Sequence, residues 1–164
     1  MLLEGACHCR RVQFSARSSE PYPYMYCYCS ICRKTAGGGG YAINLSADAG
    51  SLEVRGKKYL TVYQALLDGE AGEAGEKSPA ERNFCSICGS ALWAWDPRWP
   101  ELLHPFASAI DTALPKAPER CHIMLDFKSG WVPVPGGKRD AHFAGYPDQS
   151  IHDWHHSRGL RTED

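Results

Sequence analysis

The sequence predicts a mainly β domain held by metal knuckles, with one short helix near its C-terminus. Three observations carry this. Seven of the eight cysteines fall into C-x-C and C-x-x-C spacings, at Cys7/Cys9, Cys27/Cys29/Cys32 and Cys85/Cys88. Short alternating or aromatic runs, bounded by turn residues, recur from Val12 onward. Only the stretch after Tyr146 places apolar side chains at helical spacing.

The elements follow in order. Val12 and Phe14 alternate with Arg11 and Gln13, as in a half-buried strand. A turn over 18–23 leads into Tyr24-Met25-Tyr26-Cys27-Tyr28, aromatic and strand-like. Gly37-Gly38-Gly39-Gly40 reads as a loop. Strands are expected at Tyr41-Ala42-Ile43-Asn44-Leu45, Leu52-Glu53-Val54-Arg55 and Tyr59-Leu60-Thr61-Val62-Tyr63. The stretch 66–79 contains Asp68-Gly69-Glu70-Ala71-Gly72-Glu73-Ala74-Gly75-Glu76, acidic and glycine-rich, and reads as a solvated insert. Leu92, Trp93 and Trp95 return as an apolar strand, and further strands are expected over 102–111 and 122–127. The helix is expected over about 148–158. Asp148 would cap it, Ile151 and Trp154 share one face, Gly159 ends it and Leu160 packs back. His152, His155 and His156 read as the polar face of this docked helix, because no neighbouring thiol or carboxylate pattern completes a metal site. The domain division is 1–135 for the β body and 136–164 for a C-terminal extension.

The chemistry lies in the cysteines. In extended backbone, residues i and i+2 point the same way, so Cys27 and Cys29 aim two sulfurs at one point. Cys29-x-x-Cys32 has knuckle spacing and adds a third. Three thiolates leave one corner of a tetrahedron open, which separates a catalytic zinc from a structural one. Cys7 and Cys9 form a second same-face pair that needs a partner elsewhere. Cys85-x-x-Cys88-Gly89 is the strongest single knuckle, its glycine supplying the positive φ of the turn. The cysteines then divide into a closed set (Cys7, Cys9, Cys85, Cys88) and an open set (Cys27, Cys29, Cys32). Spacing also permits Cys7/Cys9 with Cys29/Cys32, which strands Cys27 and leaves Cys85/Cys88 half-formed. Cys121 reads as a buried small hydrophobe and His8 as a surface residue. Arg33 and Lys34 offset the charge of a three-thiolate zinc, or meet a substrate carboxylate. Tyr28 and Tyr41 are candidates to line the pocket.

Composition sets bounds. The formal charge of −1 carries no expectation of nucleic acid or an anionic membrane. Seven thiolates on two Zn²⁺ would move it to about −4. Cysteine makes up about 5% of the chain, below the level of a disulfide scaffold. Met1-Leu2-Leu3-Glu4-Gly5 shows no basic segment or apolar run, so a reducing, cytoplasmic setting is expected.

Three blocks together resemble a known family. They are Gly5-x-Cys7-His8-Cys9-x-x-Val12-x-Phe14, then Cys27-x-Cys29-Ser30-x-Cys32-Arg33-Lys34 with its glycines, then Arg82-x-Phe84-Cys85-x-x-Cys88-Gly89-Ser90-x-Leu92. Ser108 with Asp111, His122-Ile123, and Lys128 with Trp131 are similar to the same family's later part. The ending Tyr146-Pro147-x-x-Ser150-Ile151-x-Asp153-Trp154-His155 resembles a bacterial subgroup. The family is that of the glutathione-dependent formaldehyde-activating (GFA) enzymes and centromere protein V. The resemblance implies an Mss4-like (β-tent) fold of antiparallel sheets with two zinc ions. It would place a structural zinc on Cys7, Cys9, Cys85 and Cys88, and an active-site zinc on Cys27, Cys29 and Cys32. It implies a carbon–sulfur lyase that joins formaldehyde and glutathione as S-hydroxymethylglutathione. Arg33 and Lys34 would then contact glutathione. A non-catalytic zinc-stabilised binding module, or a redox protein using Cys29 and Cys32, are the competing functions.

Overall fold

The computed structural model describes residues 1–67 and 75–162. The chain is mainly β, in three sheets. The first is antiparallel: β1 (Leu2–Ala6), β2 (Gln13–Arg17) and β6 (Glu53–Arg55), in that spatial order. The second is also antiparallel and runs β5 (Ala47–Asp48), β10 (Leu102–Pro105), β9 (Ala91–Trp95), β8 (Lys77–Cys85), β7 (Leu60–Leu66). The third, β12 (Ala141–His142), β11 (Cys121–Ile123), β3 (Met25–Cys27) and β4 (Ala42–Ile43), is mixed. There β11 runs parallel to both β3 and β12, whereas the resemblance implied antiparallel pairing throughout. These pairs are two or three residues long and are reached by long connections, which is what parallel pairing requires.

Two cores lie on opposite faces of the second sheet. Strand alternation fixes this at β8 and β9. Asn83 opposes Trp93, and Trp93 belongs to a core with Leu3, Val12, Phe14, Leu45 and Leu103. Arg82 opposes Ala94, and Ala94 packs on a second core of Tyr24, Met25, Phe106, Ile123 and Trp154. Cys7 and Cys85 belong to the first core, Cys27 and Cys32 to the second. In the first core Phe14 meets Trp93 with ring centroids 5.0 Å apart. Gly5 lies opposite Phe14, and a Cβ there would sit 2.7 Å from the Phe14 ring and 2.4 Å from the Ala109 carbonyl oxygen. Glycine is therefore a packing requirement at this position.

Several local expectations change. Strand β1 uses the N-terminal residues, which had been read only for what they lack; the buried Leu3 in its burial alternation marks it as a strand. The strand expected over 102–111 ends at Pro105, followed by a 3₁₀ turn at Ala107–Ala109. That expected over 122–127 ends at Ile123, followed by a 3₁₀ turn at Leu125–Phe127. Leu66 closes β7 and Lys77 opens β8, so the two ends of the acidic stretch belong to a hairpin. Residues 68–74, most of the expected insert, lie outside the described residues.

The C-terminal helix α2 (Ile151–Ser157) is capped by Ser150, not by Asp148. The Asp153 N–H donates to the Ser150 hydroxyl oxygen (3.0 Å), and that hydroxyl donates to the Asp153 carboxylate (2.7 Å), a reciprocal cap two residues further in. Gly159 has φ +62° and ends the helix. Trp154 stacks on Tyr24 with centroids 3.6 Å apart, which ties α2 to the residue before β3. His155 leaves the polar face expected of it: it is fully buried. Its Nε2 accepts from the Tyr22 N–H (3.2 Å) and its Nδ1 donates to the Ile151 carbonyl (2.8 Å), so the neutral ring is required. His152 sits 3.2 Å from Glu20.

Two outcomes are expected. Gly5→Ala should cost about 1–3 kcal/mol in chemical denaturation, an overpacking penalty. Burial lowers the His155 pKa below 6.5, against the hydrogen bond to the Ile151 carbonyl and the pull of Glu20, and Arg158 and Arg161 add to the lowering. A base held neutral in the fold contributes fully above pH 6.5 and loses its contribution as pH falls below that value. Amide-exchange protection at Tyr22 and Leu160 should therefore be flat above that pH and decline beneath it, and His155→Phe should abolish the decline.

Candidate metal centres

The first thiol set is assembled by two hairpin turns. Cys7 and Cys9 occupy the turn between β1 and β2, which closes through Cys7 N–H to Val12 O (3.0 Å) and Arg10 N–H to Cys7 O (2.9 Å), with Arg10 at φ +58°. Cys85 and Cys88 occupy the turn between β8 and β9, closed by Gly89 N–H to Cys85 O (2.9 Å), with Gly89 at φ +71°. The His8 N–H donates to Ser90 Oγ (3.1 Å) and joins the two turns. The Cys7 and Cys9 sulfurs are 3.5 Å apart, Cys9 and Cys85 3.7 Å, and all four lie within 4.8 Å of one another. Tetrahedral ligands at the zinc–sulfur distance of about 2.3 Å lie about 3.8 Å apart, so the donor set fits a four-thiolate ion. Hydrogen bonds from the Ser90 hydroxyl, then from backbone N–H groups, hold the Cys88 thiol down to about 5.

The second set is built differently. Cys27 ends β3, Cys29 is the N-cap of a short helix α1 (Ser30–Thr35), and Cys32 lies in the first turn of α1. The tight turn expected at Cys29-x-x-Cys32 therefore runs on into a helix. The Cys32 N–H donates to Cys29 Sγ (3.3 Å), so a thiol takes the place of a serine or aspartate cap. The three sulfurs lie within 4.8 Å of one another; Cys27 and Cys32 are buried and Cys29 half-buried. Hydrogen bonds from the Cys27 and Cys32 thiols draw the Cys29 pKa far down. Hydrogen bonding to Cys29 and Cys32, with burial, pushes Cys27 strongly up. A divalent ion at this set would let all three thiols ionise.

Each set thus can hold a metal ion, and the alternative union of Cys7/Cys9 with Cys29/Cys32 is not formed. Cys121 is buried in the second core away from both sets, and burial pushes its thiol up to about 11. A cleft of about 680 Å³ runs from the β1–β2 turn to the end of α1, lined by Arg10, Lys34, Gly37, Ser90, Ser108 and Asp111 among others. Lys34 is thus at the cleft. Arg33 instead has a buried Nε with no hydrogen-bond partner among the described residues. Tyr28 is fully buried with its hydroxyl 2.9 Å from Nδ1 of His122, and its ring packs on Tyr41 at 5.4 Å. His122 and Arg82 escaped the reading of the sequence as site residues. His122 is fully buried, its Nε2 facing Asp140 Oδ2 at 3.9 Å. Arg82 presents buried Nε and Nη1 atoms with no partner among the described residues. Arg82 was visible only as one position of a motif, and a half-buried cation in a strand has no periodic signature of its own.

A β framework that gathers two cysteine sets, one of four thiols and one of three, defines a cysteine-rich protein with two potential metal centres. The chain belongs to the glutathione-dependent formaldehyde-activating enzyme (GFA) family, whose model matches residues 2–125. A protein of Halomonas elongata, named provisionally as a glutathione-dependent formaldehyde-activating enzyme, is 59% identical over 160 residues, 98% of each chain. A crystal structure of a Rhodobacter sphaeroides protein superposes with a TM-score of 0.51 at 27% identity, covering 68% of this chain and 91% of that one. Among the described residues no helix is long and apolar enough to cross a membrane.

Titration with Cd²⁺ should raise thiolate charge-transfer absorption that saturates at two equivalents per chain. Cys85→Ser and Cys32→Ser should each lower the strongly bound count to one, read by elemental analysis after gel filtration.

Proposed function

We propose that the protein is a zinc-dependent carbon–sulfur lyase-type enzyme acting on glutathione–aldehyde adducts, such as S-hydroxymethylglutathione, or on related small thiol compounds. The observation that carries this reading is the unequal division of the thiols. Four thiols, Cys7, Cys9, Cys85 and Cys88, lie together and three, Cys27, Cys29 and Cys32, lie together; in this reading the first set would close a structural zinc and the second would hold a zinc with one free position. A zinc bound there supplies a Lewis-acid position that stabilises a thiolate or polarises an aldehyde oxygen. In the forward direction the substrate sulfur bonds to the aldehyde carbon, and the thiol proton ends on the aldehyde oxygen. Burial of Cys27 and Cys32 keeps water from one side of the centre. Lys34 lines the cleft, as does Cys7 of the four-thiol set, and in this reading it would meet a carboxylate of a glutathione-like molecule. The family and the Halomonas relative's name support glutathione and formaldehyde as the substrate class. Residues 1–135 form the family-like body in this reading, and 136–164 an extension whose β12 adds to the third sheet. A thiolate-rich centre of this kind belongs in a reducing, cytoplasmic compartment.

The test uses protein in which cobalt replaces the native metal, titrated with glutathione. The expected result is two metals per chain and a change in the visible spectrum that Cys29→Ser abolishes. Two metals with no spectral response to any thiol would overturn the enzyme reading in favour of a non-catalytic binding module. Reversible oxidation of Cys29 and Cys32 in a metal-free protein would overturn it in favour of redox chemistry.

A further inference from the structure

Arg82 is a half-buried cation whose Nε and Nη1 atoms are buried and have no hydrogen-bond partner among the described residues. It lies in mid-β8, opposite Tyr63 on one side and Ala94 on the other. Opposed residues share a face, and Ala94 packs on the second core together with Cys27, Cys29 and Cys32. The neighbouring Asn83, opposite Trp93, faces the first core. The alternation of β8 thus sends Arg82 to the face of the sheet that carries the second core, in which the three-thiol set lies. Arg82 is close enough to Cys32 for their charges to interact.

A guanidinium does not deprotonate in a protein, so burial cannot relieve Arg82 by neutralising it. Its two buried donors demand an acceptor. Three cysteine thiolates on a divalent ion carry one net negative charge, which Arg82 balances. An anionic fourth ligand would add a second negative charge in a buried setting. A donor pair aimed into the site is what makes that addition tolerable.

We propose that Arg82 is the anion-positioning residue of the three-thiol centre, balancing its charge and directing Nε–H and Nη1–H to a small-molecule thiolate at the free fourth position. This rests on the reading of Cys27, Cys29 and Cys32 as an open metal site. The role differs from that of Lys34, which stands at the outer cleft and would meet a remote carboxylate.

The experiment compares wild-type, Arg82→Gln and Arg82→Lys proteins, each loaded with two cobalt ions. Each is titrated with glutathione and with uncharged 2-mercaptoethanol across a range of pH. Wild type should bind both thiols. Arg82→Gln should keep both metals and its circular dichroism but bind either thiol about 10–100-fold more weakly. Its binding should also begin at higher pH, because the bound thiol must lose its proton without a neighbouring cation. Arg82→Lys, which keeps the charge but loses the fork, should keep the wild-type pH onset with weaker binding. Equal affinity and equal onset in wild type and Arg82→Gln would overturn the proposal while leaving the open site intact. Loss of glutathione binding with 2-mercaptoethanol binding unchanged would also overturn it, since Arg82 would then hold a remote carboxylate. No thiol response in wild type would overturn the open-site reading and this proposal with it. Should Arg82→Gln fail to fold, the Lys variant decides: affinity equal to wild type would overturn the fork's role.

Discussion

The convergence of four sulfurs from two hairpin turns is the constraint on which the rest of the molecule depends. Cys9 and Cys85 are 76 positions apart in sequence and 3.7 Å apart in space. Holding them there requires the first sheet to meet the second edge to turn, and that meeting sets the depth of the first core. Thiolates at such spacing repel one another, so the arrangement is electrostatically incomplete without a cation. Binding energy at such a centre is also folding energy, because the unfolded chain holds no preformed site. Leu3, Phe14, Trp93 and Leu103 then fill the space that the four-thiol junction defines.

The second centre obeys a different rule. Its three sulfurs come from one contiguous stretch, where a strand end, a helix cap and the first helical turn supply one thiol each. It needs no distant partner to form, but it needs one to be neutral. The proposed partner, Arg82, lies on β8, on the face that carries the second core. The second sheet therefore does two jobs by alternation alone: Trp93 and Asn83 serve one core, and Ala94 and Arg82 the other.

The thiol pattern was legible in the sequence because C-x-C and C-x-x-C spacings bear directly on geometry, and the division into four and three is the one the folded chain makes. The mainly β class and the short terminal helix were legible for a similar reason, since alternation and helical spacing are local. What was hidden is non-local or brief. Helix α1 is six residues long, too short for a periodic signal, and its cap is a cysteine. The parallel partners of β11 are strands of two or three residues, chosen by tertiary contacts. Ser150 competes with Asp148 as a cap, and only Asp153 three residues beyond it decides between them. His155 carries a polar label but sits where a buried ring with two satisfied nitrogens is needed. Arg82 reads as an ordinary strand cation until the face it points to is known.

The two cores also differ in when they can exist. The first takes its last fully buried member at Ala109, whereas the second requires Cys121, Ile123 and finally Trp154. A polypeptide emerging from its N-terminus can therefore close the four-thiol junction while the tail is still being made. The three-thiol stretch is synthesised early, yet its surroundings arrive last. During that interval its sulfurs lack the last walls of the second core, so the three-thiol set is the later of the two to be enclosed as the chain is made.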